Sequence, residues 1–202
     1  MNIKSILNTA WVYTFFSKVI GSHRSRIFFS EKYIRPKKGD TLLDIGCGPG
    51  DILDYLADIN YVGFDANKEY IQTAIQKRGK RGTFYCCEVG QEEKVLQSQK
   101  FDIVMANGVL HHLDDGEVLT LLQFAKSRLK PGGRFISFDG CFDSRQSWIA
   151  RYLLKNDRGQ YVRNEEEYLK LARSVFPNVK DTVRSDFLRI PYTHIIMEAS
   201  LS

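Results

Sequence analysis

Between residues 41 and 139 the chain alternates short, nearly unbroken apolar runs with longer stretches whose apolar positions recur at helical spacing. The runs fall at 41–46, 61–65, 83–88, 101–107 and 134–139. Continuous apolar character over so few residues suits strands covered on both faces. Between them, helical patterns cover 51–58, 68–77 and 117–129. In the last, positions 118, 119, 121, 122, 125 and 129 are apolar, and Pro131-Gly132-Gly133 stops it. The alternation predicts βαβ units and a mostly parallel sheet with helices on both faces.

Beyond residue 139 the pattern changes. Two helical stretches, 144–155 and 165–176, precede two strand patterns, 179–188 and 194–199, with Arg189-Ile-Pro-Tyr192 as a short connection. The first 38 residues read as helical, with Ile3, Leu7, Trp11 and Phe15 on one face. The expected fold is one α/β domain over 1–202, with a seven-stranded sheet in the order 3-2-1-4-5-7-6 and an antiparallel last strand. A helical cap over 1–38 comes first, then a core over 39–140. Substrate-side helices and a terminal hairpin follow over 141–202.

Composition narrows the class. No stretch approaches the roughly 18 apolar residues of a membrane span. The aromatic run Ala10–Phe16 is followed by Lys18 and lacks a cleavage site, so it reads as amphipathic helix and not as a signal segment. Cys47, Cys86, Cys87 and Cys141 form no CxxC pair, and the histidines have no zinc-like spacing. Reduced thiols, no metal and a cytoplasmic location are the expectation. Charge is uneven: residues 1–38 carry eight Lys/Arg and one acid, 39–140 eleven against fifteen, and 141–190 ten against seven. A basic flank on each side of an acidic centre is either a solvated surface or a field that attracts an anionic substrate.

The strongest chemical signal is Leu42-Leu-Asp-Ile-Gly-Cys-Gly-Pro-Gly50, an apolar strand running into a glycine-rich turn and a helix. Glycines permit backbone conformations and close ligand approach that a Cβ obstructs. The spacing is GxGxG and differs from the GxGxxG of dinucleotide sites. Asp65 closes the next strand, where a carboxylate accepts hydrogen bonds from a ribose diol. Loop and acid together point to a cofactor containing adenosine.

From residue 36 to 140 the chain resembles the class I S-adenosylmethionine-dependent methyltransferases, which share a Rossmann-like domain. Their first motif is similar to Leu42–Gly50, and their ribose-binding strand end to Val62-Gly-Phe-Asp65 with Asn67. Their fourth strand is similar to 101–113, and the turn into their fifth to Leu129-Lys-Pro-Gly-Gly-Arg-Phe135. The resemblance implies that Gly46, Gly48 and the backbone around Cys47 hold the methionine part, that Asp44 orients the loop or the methionine amine, that Asp65 holds the ribose, and that Ala66 is a further cofactor-binding residue. It places Glu88 toward adenine, although Asp is more usual there, and Asn107 at the cofactor edge. The product is then S-adenosylhomocysteine.

His111 and His112 follow the carboxyl end of a strand, the edge at which open α/β sheets bind ligands. An oxygen acceptor needs a base, for which His112 and His194 are the candidates. Arg158, Arg163, Arg189 and Tyr192 are expected to line the acceptor side, and Arg suits a carboxylate or phosphate. Residues 156–163 and 189–194 resemble segments of small bacterial methyltransferases of glycan or natural-product biosynthesis, which implies a small-molecule acceptor, with nucleic acid disfavoured. Two rival readings stay open: an RNA-associated or partner-binding module on this fold, and a nucleotide-dependent oxidoreductase.

Overall fold

A computed structural model describes residues 22–87, 96–157 and 159–201. The expected helix bearing Ile3, Leu7, Trp11 and Phe15 lies outside the described residues, as do Glu88 and Arg158. Helix α1 (Ser22–Phe29) leads through a wide turn, Ser30–Ile34, into strand β1 (Thr41–Ile45). Then come β2 (Asn60–Asp65), α2 (Lys68–Arg78), β3 (Gly82–Cys86), β4 (Phe101–Asn107), α3 (Asp115–Arg128) and β5 (Leu129–Phe142). The last elements are α4 (Trp148–Lys155), β6 (Arg163–Asn164), α5 (Glu165–Val175), β7 (Asn178–Arg184) and β8 (His194–Ser200).

The sheet order is β3-β2-β1-β4-β5-β8-β7. With the two-residue β6 set aside, this is the expected 3-2-1-4-5-7-6. Strands β1 to β5 run parallel, and β8 is antiparallel to both β5 and β7. The extra strand β6 adds to the end of β5, pairing Cys141 with Arg163 and Phe142 with Asn164. Alternate residues of each central strand feed a separate core. Leu43, Ile45, Val104, Ala106 and Phe135 pack with Leu121, Leu122 and Tyr168 on one face. Leu42, Ile103, Met105 and Ile136 pack with Phe29, Ile34, Leu53 and Ala74 on the other.

Several boundaries differ from expectation, for local reasons. The expected helix 51–58 is a single 3-10 turn, Asp51–Tyr55. Only four residues separate it from β2, and Gly39 N–H donates to Asp58 O at 2.8 Å, which fixes that segment at the amino edge. Helix α3 starts two residues early because Asp114 and Glu117 form a reciprocal capping box. Helix α4 starts four residues late. Asp143 accepts from Arg145 N–H and so turns the chain, and Ser147 then caps the helix. Strand β7 ends at Arg184, not at 188, because the chain leaves the sheet to insert Phe187 among Phe28, Tyr33, Phe138 and His194.

Arg163, expected on the acceptor side, is buried and structural instead. Its Nε and Nη2 both donate to Asp115 Oδ1, at 2.9 and 2.6 Å. Nη1 donates to Leu110 O and Tyr161 O, and Nη2 also to Leu113 O. A guanidinium has five N–H donors, and all five are spent here. The side chain ties β6 and α5 to the turn after β4. No helix among the described residues is long and apolar enough to cross a membrane.

Arg163→Met leaves three carbonyls and Asp115 without their partner at near-constant volume. Urea denaturation is expected to show a loss of about 2–4 kcal/mol. A loss below about 0.5 kcal/mol contradicts the clamp.

Candidate functional site

The strand order reverses between β1 and β4, which opens a crevice beyond their carboxyl ends. The β1 loop enters it with Gly46 at φ +68° and Gly48 at φ +54°. A Cβ on Gly46 would sit 2.6 Å from Val109 Cγ2, so the absence of a side chain lets the loop press against the segment after β4. A Cβ on Gly48 would meet nothing within 4 Å, so the backbone there faces open space. Cys47 N–H donates to Phe64 O at 3.0 Å. The Cys47 thiol is buried against Gly63, and burial, with the charges of Asp44 and Asp65, pushes its pKa far up.

Asp65, at the end of β2, accepts from Gly48 N–H at 2.9 Å and from Asn67 N–H at 2.8 Å, one bond on each oxygen. Each carboxylate oxygen keeps a further lone pair. Ala66 beside it is exposed, and Asn67 caps α2. Asp44 lies buried beneath the loop. Its Oδ2 accepts from Tyr61 O–H at 2.5 Å, and its Oδ1 has no partner. Burial pushes its carboxyl up to about 7, the charge of Asp65 adds to the rise, and the Tyr61 bond opposes it. Asn107 sits half-buried at the end of β4, opposite Phe138.

The histidine turn, Leu110–His112, follows directly. His111 is the buried member of the pair. Its Nδ1 lies 2.9 Å from Asp139 Oδ1 at the carboxyl end of β5, and its backbone N–H donates to the same oxygen at 3.2 Å. Burial works to lower the His111 pKa. The bond to Asp139, that residue's charge and the charge of Asp157 outweigh it, so the net shift is upward. His112, expected at the site, is exposed, with its ring 4.2 Å from that of His111. Gly159 and Tyr161 close over the turn: a Cβ on Gly159 would meet the His111 ring, and Tyr161 N–H donates to His111 O at 3.0 Å.

His194 opens β8 and is buried in an aromatic stack. Its ring lies 4.4 Å from Phe138 and 4.8 Å from Tyr192. Its Nδ1 has no partner. Burial lowers its pKa to about 3, the nearby His111 lowers it further, and Asp157 opposes. Tyr192 O–H donates to Asp157 across the same edge. Arg189 is exposed on the 185–193 connection. Asp186, a potential partner for it, pairs with Arg184 instead.

Sequence reasoning missed the His111–Asp139 pair and Asp157. The available signal was position: Asp139 ends β5 and His111 follows β4, and neighbouring parallel strands deliver both to one edge. Among the described residues no cluster of three or more His, Cys, Asp or Glu is arranged to hold a metal.

A family profile described as a methyltransferase domain matches residues 36–189. The ubiquinone biosynthesis O-methyltransferase of Paramagnetospirillum magneticum is 33% identical over 108 residues, 52% of this chain and 43% of that protein. Phosphoethanolamine N-methyltransferase 1 of Triticum aestivum is 32% identical over 111 residues, 52% of this chain and 22% of that protein. The chain thus spans less than half the length of these curated relatives. The structure of the plantazolicin methyltransferase BamL, in complex with a triazolic desmethylPZN analog and SAH, aligns with TM-score 0.69 and 16% identity. That alignment covers 96% of this chain and 91% of that one, and at such identity it shows the shared fold.

His194 sets a pH dependence. Its folded pKa is about 3 against an ordinary 6.5, so between these values the unfolded chain binds more protons. Its contribution to stability is complete above about pH 6.5 and is lost as pH falls toward about 3. The raised pKa of His111 works oppositely, favouring the folded state below about 6.5 and losing that contribution as pH rises. His194→Phe, which keeps the stack on Phe138, is expected to remove about 2–4 kcal/mol of acid-side loss near about pH 4. Urea midpoints across pH measure this, and parallel curves for variant and wild type contradict it.

Proposed function

The chain belongs to the methyltransferase domain family, and on that premise we propose that it transfers a methyl group from S-adenosylmethionine to an oxygen of a small-molecule acceptor, with His111 as general base. The observation that carries this reading is the buried His111–Asp139 pair, set at the same sheet edge as the Gly46–Gly48 loop. The match to an O-methyltransferase over half the chain supports the oxygen acceptor.

The residues fit the cofactor. Gly48 offers a backbone with open space where a side chain would stand. Asp65 keeps lone pairs for a ribose diol while its first bonds hold the loop. The unpartnered Oδ1 of Asp44 is an acceptor in reserve beneath the same loop. When bound, S-adenosylmethionine supplies an already activated methyl group on a sulfonium. The chain's own task is then alignment and proton removal.

Asp139 holds the Nδ1 side of His111, which leaves Nε2 as the proton acceptor. The raised pKa makes the neutral ring a stronger base than an ordinary histidine, available above a correspondingly higher pH. Among the described residues, the charged groups that act on His111 are the acids Asp139 and Asp157, and the donors of Arg163 are spent. This favours a hydroxyl as the entering polar group over the anionic group that the basic flanks suggest.

Turnover of labelled cofactor against a panel of hydroxylated metabolites tests the reading. With an acceptor in hand, kcat/KM is expected to rise with pH along a limb set above 6.5. His111→Gln is expected to remove that limb and about 10²–10⁴-fold of rate, with S-adenosylhomocysteine affinity retained. A His111→Gln enzyme with the wild-type profile refutes the base assignment.

Calorimetry tests the cofactor side separately. Asp65→Ala is expected to weaken S-adenosylhomocysteine binding by about 1.5–3 kcal/mol per charged hydrogen bond lost. Unchanged affinity in the folded variant rejects that role.

A further inference from the structure

The large apolar side chains exposed among the described residues are Ile27, Ile75, Trp148, Ile149, Tyr152, Tyr161 and Leu201. More than half of them fall within one segment, 148–161. Helix α4 carries three of them, Trp148, Ile149 and Tyr152. Ala150 and Leu154, one turn apart, are buried, and Leu154 packs over Gly140 at the end of β5. Trp148 and Tyr152 form the stripe on the opposite face, 79% and 62% exposed. A helix on a protein surface ordinarily turns polar residues outward, and a contiguous exposed apolar face marks an interaction surface.

The charges on α4 itself have one sign, with the acids Asp143 and Asp157 just outside it. Residues 144–155 contain Arg145, Arg151 and Lys155 and no acid. Arg151 and Lys155 are exposed and lie on the helix flank next to Trp148 and Tyr152. Arg145 pairs with Asp143, and Arg151 stands over the Phe142 ring at 5.4 Å, so both hold their places beside the helix.

We propose that the outward face of α4 docks on an anionic lipid surface. Trp and Tyr settle at the headgroup level of a bilayer, Ile149 adds apolar area, and the flanking cations meet anionic headgroups. A second copy of the chain fits less well, because an isologous contact brings Arg151 and Lys155 against the same cations. The inner face of α4 touches Gly140, and Asp157, just past the helix, accepts from Tyr192. Docking therefore turns the His111 side of the sheet toward the lipid. The inference is independent of which atom is methylated.

The test uses the full chain, with Trp11→Phe leaving Trp148 as the single tryptophan. Vesicles of phosphatidylcholine alone are compared with vesicles of equimolar phosphatidylcholine and phosphatidylglycerol. Anionic vesicles are expected to pellet the chain and shift Trp148 emission to the blue, and neutral ones to bind at least about tenfold more weakly. Arg151→Gln with Lys155→Gln is expected to weaken pelleting about 25-fold, about fivefold per charge. Trp148→Ala with Tyr152→Ala is expected to abolish it at an unchanged melting temperature. Should that pair misfold, the charge pair decides. Failure to pellet with anionic vesicles at low salt overturns the proposal, as does wild-type pelleting by either pair. Two further outcomes also overturn it: a dimer that the apolar pair dissolves, or Trp148 quenching by single-stranded RNA without vesicle pelleting.

Discussion

The crevice depends on how closely two backbones approach. Gly46 meets Val109 at a distance that leaves no room for a Cβ. Strands β1 and β4 are hydrogen-bonded neighbours, yet the chain between them travels outward through β2 and β3. Their loops therefore diverge to opposite sides, and they can meet only where one lacks a side chain. The contact joins the glycine loop, with Asp65 behind it, to the turn that carries His111. A larger residue at position 46 would separate the two halves of the site before it touched any ligand.

Electrostatics divides the same edge. On the β1–β2 side, burial holds the proton on Asp44, the charge of Asp65 adds to the effect, and the buried Cys47 thiol feels both acids. On the β5–β8 side, Asp139 and Asp157 favour a charged His111, while burial, with His111 adding to it, keeps His194 neutral. The two histidines are thus driven apart in basicity: the acids raise His111, and burial with His111 nearby lowers His194. Divergence of neighbouring titratable groups is how a site acquires distinct proton-handling roles.

The core of the fold was legible because strands buried on both faces leave continuous apolar runs, and glycines mark where the chain must turn. The loop, Asp44 and Asp65 were legible for the same reason. What the pattern could not show was side-chain pairing between distant segments. Whether His111 or His112 turns inward depends on a short turn after β4, whose phase is invisible in two adjacent identical residues. Arg163 looks in sequence like any basic residue between helices. Its burial follows from β6, a two-residue strand too short to leave a periodic signal. Phe187 reads as the continuation of a strand, yet ring packing removes it from the sheet.

The five-donor clamp of Arg163 has a consequence for how such an enzyme can change. It grips the carbonyls of Leu110 and Leu113, on either side of the histidine pair, from a strand and helix far along the chain. The backbone of the histidine turn is thereby held independently of residues 143–156 and of the connection 185–193. Those segments can accept substitutions while the turn keeps its shape. On the function proposed above, a change of substrate then meets less mechanical resistance than a change of chemistry.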